Sequence, residues 1–165
     1  MISLNIGSLS SQIGALAASY QELPRHIGKK HMLASMRRAI KASGGVARLR
    51  AATPPIGTRR GRRRKGEKRI STGALRRAVT TKARWIGNNK TGAAVAGLGY
   101  KYGWESRKAI WHEFGTTRMA AKHMMEQTFN SIRGPVASRL VEELRVGLER
   151  AAAELASGKN PGYKG

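Results

Sequence analysis

The stretch "IWHEFGTTR", Ile110–Arg118, sets a histidine beside a glutamate in a chain with few acids. Histidine and glutamate serve as general bases and as zinc ligands, so the pair is the first place to look for chemistry. A zinc hydrolase motif needs a second histidine one helical turn on, H-E-x-x-H, so that both imidazoles face the metal. Here the fourth residue beyond His112 is Thr116; His123 lies further on, and His26 and His31 are far upstream. The alternation in "KAIWHEF" reads as a strand, with Ile110, His112 and Phe114 on one face and Trp111 and Glu113 on the other. Side chains that diverge in this way do not converge on one ligand, so neither a metal nor a cofactor is expected.

Other catalytic patterns fare no better. "GLGYKYG" carries glycines, but the "WESRKAIW" that follows does not read as an amphipathic helix, as a dinucleotide fingerprint would require. The glycines suit a bulge or a strand end instead. Neither a Walker sequence nor a G-x-S-x-G elbow occurs, and all nine acids are glutamates. Glu142, Glu143, Glu149 and Glu154 crowd the C-terminal segment, which leaves few carboxylates for paired acid–base work. Cysteine is absent, so there is no thiolate nucleophile or disulfide framework. Catalysis is not expected.

Charge is the strongest compositional signal. Lysine and arginine number 32, giving a formal net charge of +23 over 165 residues. Such an excess repels itself and invites a polyanion or an acidic protein surface. Its centre is Arg59, Arg60, Arg62, Arg63, Arg64, Lys65, Lys68 and Arg69, in a proline- and glycine-rich stretch almost without apolar residues. Like charges at that density oppose compaction, so residues 53–71 read as an extended loop inserted in one domain. No aromatic residue interleaves the run, so phosphate or carboxylate contact is expected rather than base stacking. Arg76 and Arg77 extend the basic surface into the folded part.

The elements that must position these groups follow from periodicity. "ISLNI" suggests a short strand, and Ser8 a cap for a helix with Leu9, Ile13, Leu16, Ala17 and Tyr20 on one stripe. Pro24 breaks that helix, a second runs from Arg25 to Ala42, and "SGG" stops it. Thr72 caps a short turn carrying Leu75. Val79–Ile86 and "AAVAGLGY" then form strands around "NNKTG", and "KAIWHEF" would complete an antiparallel meander. Beyond Gly115, Thr116 or Thr117 would cap a helix from Met119 to Asn130, with Glu113 pairing with Arg118. A leucine stripe continues to Leu155, kinked or divided at Gly134-Pro135. The fold class is α+β: a small antiparallel sheet packed with N-terminal helices and a long C-terminal helix. Residues 1–157 would make one domain and residues 158–165 a flexible tail. No apolar run is long enough to span a membrane. Tyr100, Tyr102, Trp104, Trp111 and Phe114 could line a ligand pocket or anchor an interface, but core packing is the first assignment, since only nine aromatics are available to build a core.

The order of these pieces, "STGALRRAV", two strands, then "AIWHEFGTTRMAAKHMMEQTF" and a terminal helix, resembles the neck or tail-completion proteins of lambda-like long-tailed bacteriophages. Matching positions are Thr72, Gly73, Leu75 and Arg76, then Trp111, Glu113, Phe114, Gly115, Thr116, Arg118 and Ala120. Where that family often has a proline in the turn this chain has "RMAAKHMM", and Ala78 replaces a serine.

The resemblance implies a virion structural protein without catalysis, made in the host cytoplasm and resident in the head–tail neck. Expected partners are further copies in a homo-oligomeric ring, a connector or stopper protein, a tail terminator or tail-tube protein, and non-specifically the genomic DNA. A basic nucleic-acid-binding protein of ribosomal or nucleoid type is the alternative, with a metal-dependent nuclease third.

Overall fold

The structure, a computed structural model, describes residues 6–55, 73–87 and 92–157. Arg59–Arg69, Thr72, residues 2–5, the "NNKT" turn and the tail from residue 158 lie outside the described residues, while Ile6, expected to end a strand, and Ser8, expected as a cap, lie within the first helix. In order, the elements are α1 (Ile6–Glu22), α2 (Arg25–Ala42), α3 (Gly45–Ala52), α4 (Ala74–Arg77), β1 (Val79–Ile86), β2 (Ala93–Tyr100), α5 (Trp104–Phe114) and α6 (Met124–Ala156). The fold class is α+β, with one two-stranded antiparallel sheet among the described residues.

Two compact units make up the chain. One comprises Met1–Ser43, Ala83–Gly97 and Gly134–Gly165; the other comprises Gly44–Lys82 and Leu98–Arg133. In the first unit, Pro24 ends α1 and opens α2, its carbonyl accepting the N–H groups of Ile27 and Gly28 at 2.9 and 3.0 Å. Tyr20, Ile27, Ala39, Ile40, Val141, Leu144 and Ala151 are buried there. The Tyr20 hydroxyl donates to the Leu144 carbonyl at 2.8 Å. Arg38 meets Glu143 at 2.7 Å, and Glu154 accepts from Lys30 and pairs with His31 at 2.8 and 2.7 Å. The stripes expected on α1 and α2 turn inward at Tyr20, Ile27 and Ile40, and that of the C-terminal helix does so at Ile132 and Leu144, whereas Ala152 and Leu155 are exposed.

In the second unit, Leu49 of α3, Val79 of β1 and Met124 of α6 form a cluster, flanked by Val46, Leu98 and Tyr100. Gly44, at φ 77°, makes the turn that starts α3, a helix the sequence reading did not anticipate. Thr53 donates through Oγ1 to the Leu49 carbonyl at 2.5 Å, so the Tyr100 hydroxyl is the donor in their 2.7 Å bond. Arg76 Nε in turn donates to the Thr53 carbonyl at 2.6 Å.

Two expectations for the second half are corrected. "KAIWHEF" is helix, not strand, so the sheet has two strands rather than three. The C-terminal stretch is one continuous helix with Pro135 inside it. Pro135 has no N–H to give the Ser131 carbonyl, and Arg48 Nη1 donates to that oxygen instead, at 2.8 Å.

Candidate assembly surface

Helix α5 starts abruptly because Gly103 (φ 131°, ψ −159°) turns the chain and accepts from both the backbone and the hydroxyl of Ser106. It ends at Gly115, whose φ of 78° strongly favours glycine. A Cβ at Gly115 would lie 2.8 Å from both the Met119 oxygen and the Ala121 nitrogen. Between these ends the helix is inverted in polarity. Lys108, Ala109, His112 and Glu113 form its buried face. Trp104, Ile110, Trp111 and Phe114 are exposed, to 54, 55, 43 and 74%. Residues 104, 107, 111 and 114 recur every three or four positions, so Arg107 stands within the outward apolar stripe. Trp104 and Trp111 meet edge to face, their centroids 5.5 Å apart. Tyr102, just before the helix, is also exposed, as are Met125 and Phe129, one turn apart on α6.

Glu113 explains why a charged residue lies inward. Its Oε2 accepts the Met125 N–H at 2.8 Å and its Oε1 accepts the Glu126 N–H at 3.1 Å. The carboxylate thus caps the start of α6, satisfying orphan donors at the positive end of the helix dipole. The α5 backbone joins in: His112 and Glu113 carbonyls accept from Lys122 and His123 at 2.8 and 3.3 Å. Thr116 and Met119 close the intervening turn by a reciprocal pair of backbone bonds. Glu113 therefore does not pair with Arg118, and neither Thr116 nor Thr117 is the cap. α6 begins at Met124, several residues later than the expected Met119. His112 and Glu113 lie together on the inward face rather than on opposite faces of a strand.

His112 is 7% exposed, and its Nδ1 has no hydrogen-bond partner among the described residues. Burial, and secondarily the Lys122 charge, hold its imidazole below the usual value. The other histidines are engaged elsewhere: His31 with Glu154, and His123 with Glu126 at 3.3 Å. No group of three or more potential metal-binding side chains exists among the described residues. A cavity of about 540 Å³ in the first unit is lined by Tyr20, Arg25, Lys29, Met32 and Trp85 among others, with Lys29 Nζ 4.7 Å from the Trp85 ring centroid. Its lining contains no carboxylate or histidine, so it offers no acid–base pair.

The remaining motif residues serve the scaffold. Gly73, at φ 64°, starts α4, and Leu75 is fully buried. Arg76 spends its Nε on the Thr53 carbonyl, while Arg77 is exposed. Trp111 and Phe114 point outward, Arg118 is exposed, and Glu113, Gly115 and Thr116 build the junction to α6.

The assignment of the aromatics to the core is corrected: of that group only Tyr100 packs against the cluster, and Tyr102, Trp104, Trp111 and Phe114 are on the surface. Arg107 and Ile110 were missed as surface candidates, whereas Trp104, Trp111 and Phe114 belong to the cluster whose second reading was an interface anchor. The signal was the three-and-four spacing of 104, 107, 111 and 114, outweighed by the strand-like alternation of Ile110–Phe114.

The acids are largely committed within the chain. Glu105 pairs with Lys108, Glu126 with His123, Glu142 with Arg139, Glu143 with Arg38 and Glu154 with Lys30 and His31. Glu113 is spent on backbone donors. Most of the positive charge therefore has no carboxylate to meet within the chain.

No known protein family, no curated protein sequence and no solved structure matches the chain.

Proposed function

We propose that this chain is a virion structural protein of the bacteriophage neck, acting in tail completion and head–tail joining by ring assembly and docking, without catalysis. The observation that carries the reading is the inverted polarity of α5, which gives its charged side chains to the interior and its aromatic ones to solvent. Burial of a fully exposed large apolar side chain contributes roughly 1.5–3 kcal/mol, so a surface this rich in them favours being covered. Glu113 fixes that surface to the start of α6, so it is presented on a braced helix rather than a loop. The E-F-G-T motif that carries the resemblance to neck proteins falls at this junction.

Under this reading the partners are further copies in a ring, a connector or stopper, a tail terminator or tail-tube protein, and, through charge alone, the genomic DNA. The site of action is the virion neck, reached from the host cytoplasm. Electron microscopy of the purified protein, alone and mixed with heads and tails of the encoding phage that lack it, tests the reading. Discrete rings and restored head–tail joining are expected. A strict monomer that joins nothing would sink it.

The uncompensated positive charge favours a second reading, a nucleic-acid-binding protein acting through phosphate contacts. Tight duplex DNA binding with a steep salt dependence, together with no affinity for connector proteins, would select it.

A further inference from the structure

We propose that the outward face of α5 is a docking site for an acidic, amphipathic segment of a different protein, not for a second copy of this chain. This names the partner chemistry of the assembly surface and rests on the proposed neck function only for the partner's identity.

The argument is charge complementarity within an apolar stripe. Trp104, Trp111 and Phe114 present apolar area, and Arg107 stands among them with no salt bridge or hydrogen bond among the described residues. Covering the stripe desolvates that guanidinium, which costs stability unless a carboxylate meets it. The carboxylates nearest in sequence are not free to do so. Glu105 is held by Lys108 at 3.1 Å, and Glu113 is buried beneath the helix with both oxygens on the α6 backbone.

A second copy fits poorly. Two α5 faces packed about a twofold axis place like surfaces against each other, so the partner face brings no carboxylate to Arg107. Among the described glutamates, only Glu22 and Glu149 lack an internal partner, and neither lies in the second unit. A segment with apolar side chains every three or four residues and glutamate or aspartate between them satisfies both halves of the stripe.

The test uses the full chain and two synthetic helical peptides, one of leucine and glutamate and one with lysine in place of each glutamate. Binding is read from tryptophan emission and by calorimetry, with sedimentation of the protein alone in parallel. The glutamate peptide is expected to bind and the lysine peptide not. Arg107→Glu should weaken the glutamate peptide by at least about tenfold, in line with the cost of a mismatched interfacial charge, and admit the lysine peptide. Arg107→Lys should retain most of the affinity, and Phe114→Ser should lose it with the circular dichroism spectrum unchanged.

Undiminished glutamate-peptide binding in Arg107→Glu and Phe114→Ser would overturn the proposal, locating the contact on other basic residues. Self-association of the protein alone that Phe114→Ser disperses would overturn it in favour of a second copy. Displacement of the peptide by a single-stranded oligonucleotide whose binding needs Trp104 and Trp111 would overturn it in favour of nucleic acid. The peptide outcomes do not depend on whether the protein forms rings or joins heads to tails, and rings that Phe114→Ser leaves intact are compatible with the proposal.

Discussion

Glu113 and Met125 are joined by a hydrogen bond from the Met125 backbone N–H to Oε2 at 2.8 Å, although twelve residues separate them in sequence. One side chain at the end of α5 thus caps the longest of the described helices and ties the two elements together.

Replacing Glu113 tests that role. Loss of a helix cap costs about 0.5–2 kcal/mol, and leaving the Met125 and Glu126 N–H groups without their acceptor adds to it. Glu113→Ala is expected to lower stability by roughly 2 kcal/mol or more, read as the urea midpoint with an unchanged slope. Glu113→Gln keeps one acceptor and should lose less. A Glu113→Ala protein as stable as the parent would remove the capping role.

Acid should act in two stages. Burial lowers the folded-state value of His112, so the unfolded chain, titrating near about 6.5, takes up a proton more readily. Stability from this group is present in full above that pH and is lost as the pH falls through the lowered folded value. Hydrogen bonds from Lys30 and His31 hold the Glu154 carboxyl below its usual range. Its contribution is present above the unfolded carboxylate value and lost as the pH falls through the folded one. Urea midpoints measured against pH should drop in both windows, and His112→Asn should flatten the upper one alone. An unchanged upper slope in His112→Asn would show that another group titrates there.

Gly147 leaves no room for a side chain. A Cβ there would press into the Ser35 Oγ and Tyr20 hydroxyl oxygens. Alanine is the better helix former by about 1 kcal/mol, yet overpacking of this kind costs about 1–3 kcal/mol. Gly147→Ala is therefore expected to destabilise on balance. In a Tyr20→Phe background, which removes one of the two oxygens, its cost should shrink measurably in thermal unfolding. A stabilising Gly147→Ala would contradict this packing.

Arg48 and Pro135 should be energetically coupled through the Ser131 carbonyl. Pro135→Ala restores an N–H four residues on, so the oxygen regains its helical donor. Arg48→Ala is expected to cost about 1 kcal/mol in the parent, the value of a typical hydrogen bond, and clearly less in Pro135→Ala. A double-mutant cycle by denaturant titration measures the difference. Additive effects would mean that the guanidinium contributes nothing there.

Much of this organisation is legible in the sequence because its signals are local. Pro24 and "SGG" mark helix ends, and the stripes through Tyr20, Ile27, Ile40, Ile132 and Leu144 face the core as their spacing requires. The β1 and β2 segments follow from alternation and small residues. Helix α5 fails as a sequence reading for a physical reason. Its buried face holds His112 together with Lys108, which donates to Glu105, and Glu113, which accepts from the α6 backbone, bonds that composition does not reveal. A rule that places apolar residues inward assigns such a helix backwards, and with it the candidate surface. The single helix through Pro135 fails similarly, because the substitute donor comes from α3, far away in sequence.

The bond between Arg76 and Thr53 spans 23 positions of sequence and is braced by Tyr100. Thr53 closes α3 and Arg76 lies in α4, so one guanidinium fixes the spacing of two helices too short to hold their conformation alone.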